Sequence, residues 1–200
     1  MWDERYAQEG FAYGKEPNAF IKQELLKLKS GKILFPAEGE GRNAVYAASL
    51  GWVVSAFDIS IEGKKKALQL AMEFGVDVDY YVNEGLTLPY RENEFDVIAL
   101  SYTHFPGHIK ADMIRRIIPF LKSGGVVLME AFSTSHLEYN AKDPHVGGPK
   151  DITMLFGLEE IKELFCDFTF SYLSEEEVNL REGIYHNGIG MVIRMCAIKK

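Results

Sequence analysis

The stretch KILFPAEGEGRNA, from Lys32 to Ala44, decides the fold of this 200-residue chain. Its first part, Ile33 to Ala37, is a short apolar run that predicts a buried strand. Gly39 and Gly41 follow, and residues without a Cβ atom allow a tight turn and a close approach of the backbone to a ligand. A helix is expected directly afterwards, from Arg42 to Leu50. This pattern is typical of the start of a nucleotide-binding βαβ unit.

A second strand and an acid complete that unit. Val53 to Phe57 is apolar enough for a strand, and Asp58 ends it about 20 residues after the glycines. A carboxylate at this place can accept hydrogen bonds from both hydroxyls of a ribose. Capping the next helix beside Ser60 is the alternative role of Asp58. Ile59 is expected to lie against the adenine face.

Composition favours one domain spanning residues 1–200. Hydrophobic residues make up 47% of the chain, the net charge is −7 and the pI is about 5.3. An acidic chain is a poor match for nucleic acid, which usually selects a basic face. Cys166 and Cys196 form neither a disulfide framework nor a paired metal motif. The polar N-terminus and the lack of an apolar run of about 20 residues predict a cytoplasmic protein with no membrane partner.

Strands and helices alternate through the first two thirds of the chain. The further elements expected there are the helices Ile61–Phe74, capped by Ser60, and Ile109–Leu121, and the strands Asp79–Val82, Phe95–Tyr102 and Val126–Phe132. Residues 86–93 are expected to form a loop. This alternation predicts an α/β fold with a mostly parallel, doubly wound sheet.

The last third of the chain has a different pattern. Ser133 to Thr153 is expected to be a long polar loop, which in a compact domain is usually functional or mobile. A helix is predicted at Leu158–Phe165. Two strands, Phe168–Glu177 and Gly190–Ile198, are predicted to form an antiparallel hairpin.

Taken together, these motifs resemble the class I S-adenosylmethionine-dependent methyltransferases. Residues 39–43 (GEGRN) correspond to the first motif of that family, and Asp58 corresponds to the acid after the second strand. Residues 88–98 (LPYRENEFDVI) are similar to the loop and strand four, and residues 121–128 (LKSGGVVL) to the entry into strand five. The resemblance covers nearly the whole chain.

A narrower resemblance points to the tellurite-resistance-type methyltransferases. It is carried by residues 42–46 (RNAVY), 104–106 (HFP), 147–149 (GGP) and 182–186 (EGIYH). The resemblance implies a Rossmann-like, seven-stranded sheet in the order 3-2-1-4-5-7-6, with strand seven antiparallel. It also implies S-adenosyl-L-methionine as cofactor, a small-molecule acceptor, and a helical N-terminal segment, residues 1–30, that acts as a lid.

The first motif departs from the family pattern at its start. Phe35 replaces the usual acid, Ala37 replaces the first glycine, and Pro36 is unusual inside a strand. Glu38 stands where a small residue is common. These changes argue against the usual water-mediated contact with the amino group of the cofactor's methionine part. Glu38 or Glu40 is a candidate to supply the negative charge that the first-motif acid would otherwise provide.

Candidate cofactor-binding residues lie along the predicted carboxyl edge of the sheet, where open α/β sheets bind their ligands. They are Tyr13, Glu38, Gly39, Gly41, Arg42, Asp58, Ile59, Glu84 and Ser101. Arg42 is a candidate for the cofactor carboxylate and Glu84 for the adenine edge. For both Arg42 and Glu84 the alternative is a solvated side chain without a ligand, because arginines at helix starts and acids in loops are often exposed to solvent.

Candidate catalytic residues are three polar aromatic side chains: His104, Tyr185 and His186. His104 follows strand four, where an imidazole could orient a nucleophile or accept its proton. A structural loop histidine is the alternative. Pro106 and Gly107 between His104 and His108 break a helix, so no metal site is predicted.

Two other functions are compatible with the sequence. GEGRNA also satisfies the G-x-G-x-x-G/A pattern of nicotinamide-dependent oxidoreductases. A non-catalytic cofactor-binding protein is the third hypothesis, because a fold does not guarantee an activity. A soft acceptor, such as a thiol or a chalcogen oxyanion, would need little base catalysis. The sequence leaves the acceptor and the oligomeric state open.

Overall fold

The computed structural model describes residues 1–85 and 87–200. In this part of the chain the sheet contains seven strands. They are β1 (Lys32–Pro36), β2 (Val53–Asp58), β3 (Asp79–Val82), β4 (Phe95–Ser101), β5 (Leu121–Phe132), β6 (Phe168–Glu182) and β7 (His186–Lys199). Their order is β3-β2-β1-β4-β5-β7-β6.

Strand directions confirm the predicted doubly wound topology. The pairs β2–β3, β1–β2, β1–β4 and β4–β5 are parallel, whereas β7 runs antiparallel to both β5 and β6. The chain reverses its direction of winding between β1 and β4. That switch point is where the carboxyl ends of the strands leave a crevice for a ligand.

Helices cover the sheet and its edges. Those described are α1 (Trp2–Tyr6), α2 (Ala19–Leu25), α3 (Arg42–Ser49), α4 (Ile61–Phe74), α5 (Gly107–Ile117), α6 (His136–Lys142) and α7 (Leu158–Leu164). The bounds of α4 match the prediction because both ends carry a local signal. The Ser60 hydroxyl accepts the Gly63 amide at 3.0 Å, and Gly75 ends the helix at φ +64°.

The core lies in two main hydrophobic clusters of buried side chains. Phe35 is completely buried in one cluster, together with Phe20 and Ile21 of α2. Leu34, its neighbour on β1, belongs to the other cluster with Ile114 of α5. Successive strand residues point to opposite faces. The residue that replaces the usual acid of the first motif is therefore a core side chain.

The structure corrects several predicted boundaries. The expected loop 133–153 contains α6 and two short 3₁₀ turns, Pro144–Val146 and Ile152–Met154. Strands β6 and β7 extend further than predicted and leave only residues 183–185 between them. Strand β5 begins at Leu121. Helix α5 ends before a 3₁₀ turn at Ile118–Phe120, because Pro119 cannot donate the helical hydrogen bond.

The predicted loop 86–93 is described only from residue 87, since residue 86 lies outside the described residues. Residues 87–93 form neither a helix nor a strand. Among the described helices, none combines the length and the apolar character needed to cross a bilayer.

Candidate active site

The turn after β1 requires glycine at two positions. Gly39 has φ +61° and Gly41 has φ +85°. A Cβ atom on Gly39 would lie 2.6 Å from the Tyr6 hydroxyl oxygen, and one on Gly41 would lie 2.5 Å from Cβ of Ala67 in α4. Both distances are too short for non-bonded atoms. The turn is therefore enclosed by α1 on one side and α4 on the other.

Ala37 adopts a left-handed backbone conformation, with φ +51°, at the position where the family has glycine. A left-handed backbone destabilises the folded state by about 1–2 kcal/mol when the residue is an L-amino acid. A glycine avoids this strain, but it lowers stability by about 0.4–1 kcal/mol because it makes the unfolded chain more flexible. We expect Ala37→Gly to raise the free energy of unfolding by about 0.5–1 kcal/mol. Urea denaturation measures the change, and a less stable variant would contradict it.

Glu38 caps helix α3 from inside the turn. Its carboxylate oxygen Oε1 accepts the backbone amides of Asn43 and Ala44, both at 2.8 Å. Burial raises the pKa of Glu38 to about 7. The amides at a helix N-terminus commonly bind an anion. In this chain a side chain of the protein already occupies those of α3.

Glu40, the other candidate for the missing charge, is also engaged. Its carboxylate accepts the backbone amide of Ala12 at 2.7 Å and forms a salt bridge of 3.0 Å with Lys66. Glu40 thereby ties the N-terminal segment to the turn after β1.

Asp58 is held in place at the carboxyl end of β2. Its two carboxylate oxygens accept the backbone amides of Ser60 at 2.9 Å and Gly39 at 3.0 Å. Burial raises the pKa of Asp58. Next to it, the apolar side chain of Ile59 is 54% exposed at the same edge. Glu84 is exposed in the loop after β3.

The N-terminal segment lies across this edge. Oδ1 of Asp3 accepts the Ser60 hydroxyl at 2.5 Å and lies 3.3 Å from the Glu62 amide. Tyr6, in the same short helix, is buried against Gly39 and Gly63. Residues 3–6 therefore contact the turn after β1 and the start of α4 directly.

The end of β4 carries an unpartnered hydroxyl and a strained residue. The Ser101 Oγ atom is buried and has no hydrogen-bond partner among the described residues. Tyr102 has φ +49°, which is a rare conformation for a bulky side chain. Strain of this kind clusters at active sites and ligand clamps. It lies here at the switch point of the sheet.

Four aromatic rings, including that of Tyr102, meet at the end of β4. The His186 ring lies 4.5 Å from the Tyr102 ring, 4.6 Å from that of Tyr13 and 5.1 Å from that of Phe132. We call Tyr13, Tyr102, Phe132 and His186 the aromatic chamber. Aromatic faces attract cations and exclude water, so the chamber suits a sulfonium group.

His186 is oriented by a buried carboxylate. Its Nδ1 atom lies 3.2 Å from Oε2 of Glu182, and the same oxygen accepts Nη2 of Arg42 at 2.9 Å. The Arg42 guanidinium and His186 hold the pKa of Glu182 at about 2 against the opposing effect of burial. Burial lowers the pKa of His186. A neutral imidazole beside an ionised carboxylate is the arrangement of an oriented general base.

These groups fit S-adenosylmethionine. Asp58 and Ile59 offer a carboxylate and an apolar face on the β2 side of the crevice, and Ser101 offers an unpartnered hydroxyl at its centre. The aromatic chamber adds the environment that a sulfonium requires.

Comparison with protein families identifies the domain. Residues 33–125 match the family model described as a methyltransferase domain. These residues form a methyltransferase domain, and S-adenosylmethionine-dependent methyl transfer is its activity. S-adenosyl-L-methionine is accordingly its cofactor. No curated protein matches the methyltransferase.

Solved structures share the fold of the methyltransferase. A structure titled for the conversion of a disulfide bond into a thioacetal group during echinomycin biosynthesis has a TM-score of 0.75 and 19% identity, over 100% of this chain and 91% of that one. TehB from Haemophilus influenzae has a TM-score of 0.73 and 18% identity, over 100% and 66% of the two chains. A methyltransferase from Methanosarcina mazei has a TM-score of 0.69 and 17% identity, over 92% and 98%.

His104 uses both ring nitrogens within the methyltransferase backbone. Its Nδ1 atom donates to the Met154 carbonyl oxygen at 2.9 Å, and its Nε2 atom accepts the Phe132 amide at 3.2 Å. Because the Phe132 N–H must donate, Nε2 carries no proton. The imidazole therefore joins the end of β4 to β5 and to the 3₁₀ turn at Ile152–Met154.

Burial lowers the pKa of His104 from about 6.5 to about 4. Between pH 6.5 and pH 4, His104 is protonated in the unfolded chain but neutral in the folded protein. Protonation therefore favours the unfolded chain, and the free energy of unfolding is highest above pH 6.5 and decreases as the pH falls. We expect the methyltransferase to lose about 2 kcal/mol more between pH 7 and pH 5 than the His104→Gln variant. Urea unfolding at both pH values tests this, and parallel losses would contradict it.

A second network, unrecognised in the sequence, supports the aromatic chamber. Glu130 of β5 is only 1% exposed. Its carboxylate accepts the Tyr102 hydroxyl at 2.7 Å, the Asn18 amide at 2.5 Å and Nε of Arg194 at 2.5 Å. Asn18 also donates to Glu182 at 3.0 Å. The only sequence signal was a single acid in an apolar strand.

A cavity of ≈ 420 Å³ lies between the N-terminal loop and the β6–β7 hairpin. Tyr13 and Glu182 line it, so the cavity reaches the edge of the aromatic chamber. Tyr185 lies in the hairpin turn, half-buried, with its hydroxyl 3.3 Å from the Gln8 side chain. The structure thus brings together Tyr13, Arg42, Tyr185 and His186, and leaves Glu84 exposed at the other end of the edge.

Proposed function

We propose that the methyltransferase methylates a small molecule bound in the cavity beside the aromatic chamber, with His186 as the general base. The observation that carries this proposal is the Glu182–His186 pair, 3.2 Å apart and buried beside two tyrosine rings. The pair lies at the switch point of the sheet, where the methyl donor is expected to bind. A base at this place can accept a proton from a nucleophile that approaches the methyl group.

The residues proposed to hold the cofactor follow the edge of the sheet. They are Tyr13, Glu38, Gly39, Gly41, Arg42, Asp58, Ile59, Glu84 and Ser101. Asp58 would accept the ribose hydroxyls, and Ile59 would lie against the adenine. Glu38 and Arg42 contribute indirectly, because Glu38 caps α3 and Arg42 bonds to Glu182. Glu84 remains a proposal for the adenine edge.

When bound, the cofactor supplies a methyl group already activated on a sulfonium. The protein then has three tasks. The chamber rings exclude water, Nε2 of His186 accepts a proton from the nucleophile, and Glu182 keeps Nδ1 of His186 protonated. No described residue hydrogen-bonds Nε2, so this atom is available to a substrate. His104 is better placed to position the β4 end than to act as the base.

We further propose that residues 1–30 form a lid over the cofactor within the single domain 1–200. Support comes from the contacts of Asp3 with Ser60, of Ala12 with Glu40, and of Tyr6 with the glycine turn. A lid at this place would keep water away from the methyl group.

A thiol or a chalcogen oxyanion is the proposed acceptor class. The structure titled for a thioacetal formed from a disulfide bond concerns sulfur chemistry, which supports a sulfur nucleophile. The resemblance of residues 42–46, 104–106, 147–149 and 182–186 to the tellurite-resistance-type methyltransferases supports a chalcogen acceptor. The net charge of −7 favours a small molecule over nucleic acid. The proposed location is the cytoplasm.

An acceptor panel tests the proposal. The purified protein would be incubated with methyl-labelled S-adenosylmethionine and with simple thiols, selenite, tellurite, phenols and amines. We expect label in a thiol or chalcogen product and S-adenosylhomocysteine in equal amount. Methylation confined to amines, or to a nucleic acid added as a control, would contradict the proposed acceptor class.

A further inference from the structure

Arg5 occupies an unusual position in the N-terminal helix. Its guanidinium lies 4.9 Å from the Trp2 ring centre and 4.6 Å from the Tyr185 ring centre. Nη1 donates to the Tyr13 hydroxyl at 2.7 Å. The side chain is half-buried. Three aromatic residues therefore hold a positive charge in one place.

Two buried or half-buried guanidinium groups beside the chamber, those of Arg42 and Arg194, are neutralised by carboxylates. Arg42 forms a salt bridge of 2.9 Å with Glu182, and Arg194 forms one of 2.5 Å with Glu130. Arg5 forms no salt bridge with any residue in the described ranges 1–85 and 87–200. A guanidinium has five N–H donors, and this one donates a single hydrogen bond to the described part of the protein.

Arg5 also lies between the two halves of the site. The ring of Tyr13, which accepts its hydrogen bond, lies 4.6 Å from the His186 ring in the aromatic chamber. Tyr6, the next residue in α1, lies against the Gly39 turn. An anionic group attached either to the cofactor or to an acceptor in the chamber would therefore come close to Arg5.

We propose that Arg5, held between Trp2 and Tyr185, is a binding site for a ligand carboxylate. This inference rests on the proposed function of the chamber. The planar fork of a guanidinium matches the two oxygens of a carboxylate. The stacked rings fix the orientation of the fork before the ligand arrives, which lowers the entropic cost of binding. The carboxylate belongs either to the methionine part of the cofactor or to the acceptor.

Binding measurements on Arg5→Gln separate these two sources. If the cofactor supplies the carboxylate, calorimetric affinity for S-adenosylhomocysteine should fall about 10- to 100-fold, the range expected for a charged hydrogen bond. Affinity for 5′-methylthioadenosine, which lacks the amino acid group, should not change. Arg5→Lys should show a smaller loss because it keeps the charge without the fork.

If the acceptor supplies the carboxylate, S-adenosylhomocysteine binding should be unchanged. KM for mercaptoacetate should then rise about 10- to 100-fold, while KM for 2-mercaptoethanol stays constant. Arg115→Gln is the matched control, since Arg115 is an exposed arginine that pairs with Asp112. Unchanged values in both experiments would overturn the Arg5 proposal. Wild-type turnover in the acceptor panel tests the proposed function separately.

Discussion

Replacing His186 by glutamine should lower kcat by about 100- to 10,000-fold for an acceptor that must lose a proton. Glutamine keeps a polar side chain of comparable reach but cannot accept a proton at neutral pH. Nδ1 of His186 is held by Glu182, so the imidazole is presented in one orientation. Stopped-time assays with labelled S-adenosylmethionine would measure the loss.

The same substitution should leave the affinity for S-adenosylhomocysteine nearly unchanged. Glu182→Gln should reduce kcat, because Glu182 orients His186, and should shift the acidic limb of the pH profile to lower pH, because the Glu182 carboxylate raises the pKa of His186. His108→Gln is the matched control, since His108 is exposed. Wild-type turnover of His186→Gln with a phenol acceptor, which must lose its proton, would remove His186 from the proton transfer.

Replacing Asp58 by alanine should weaken cofactor binding by at least about 1.5 kcal/mol, because hydrogen bonds to an ionised carboxylate are lost. That change corresponds to about a tenfold increase in Kd. The carboxylate also accepts the amides of Gly39 and Ser60, so the glycine turn should become less ordered. Calorimetric titration with S-adenosylhomocysteine would measure the effect.

Asp112→Ala provides the control for a lost negative charge, because Asp112 is 70% exposed on α5. Circular dichroism would establish that the Asp58→Ala variant is folded. An unchanged Kd in a folded Asp58→Ala variant would show that the adenosine lies elsewhere.

Local signals made the first half of the fold predictable from sequence. Strands β1 and β2 are continuous apolar runs, which is the pattern of strands buried on both faces. Helix α4 has its own start and stop in Ser60 and Gly75. The glycine turn follows from GEGRN, because no other residue fits at Gly39 or Gly41 without a clash.

Tertiary contacts explain why residues 133–153 were predicted wrongly. Helix α6 has only seven residues, too few to be stable alone. It is held by His136, whose Nε2 lies 3.0 Å from the Gly147 carbonyl oxygen and whose Nδ1 accepts the Met191 amide at 3.2 Å. Neither partner can be read from the local sequence. Strand β6 continues past its predicted end at Glu177, because residues 178–182 pair with residues 186–190 of β7.

The candidate site also contains both contacts that the local sequence predicts and contacts between residues far apart in the chain. His186 and Glu182 are four residues apart across a tight hairpin, so their pairing is encoded locally in EGIYH. The Asn18–Glu130 hydrogen bond joins residues separated by 112 positions, and nothing local connects them. For His104 the sequence indicated the correct loop but not the two backbone partners that occupy its ring.

A crystal structure of the S-adenosylhomocysteine complex tests the central claim most directly. The account predicts that the ribose contacts Asp58 and that the sulfur faces the chamber formed by Tyr13, Tyr102 and His186. A sulfur atom that points away from His186, with the chamber closed off from the cofactor, would contradict it.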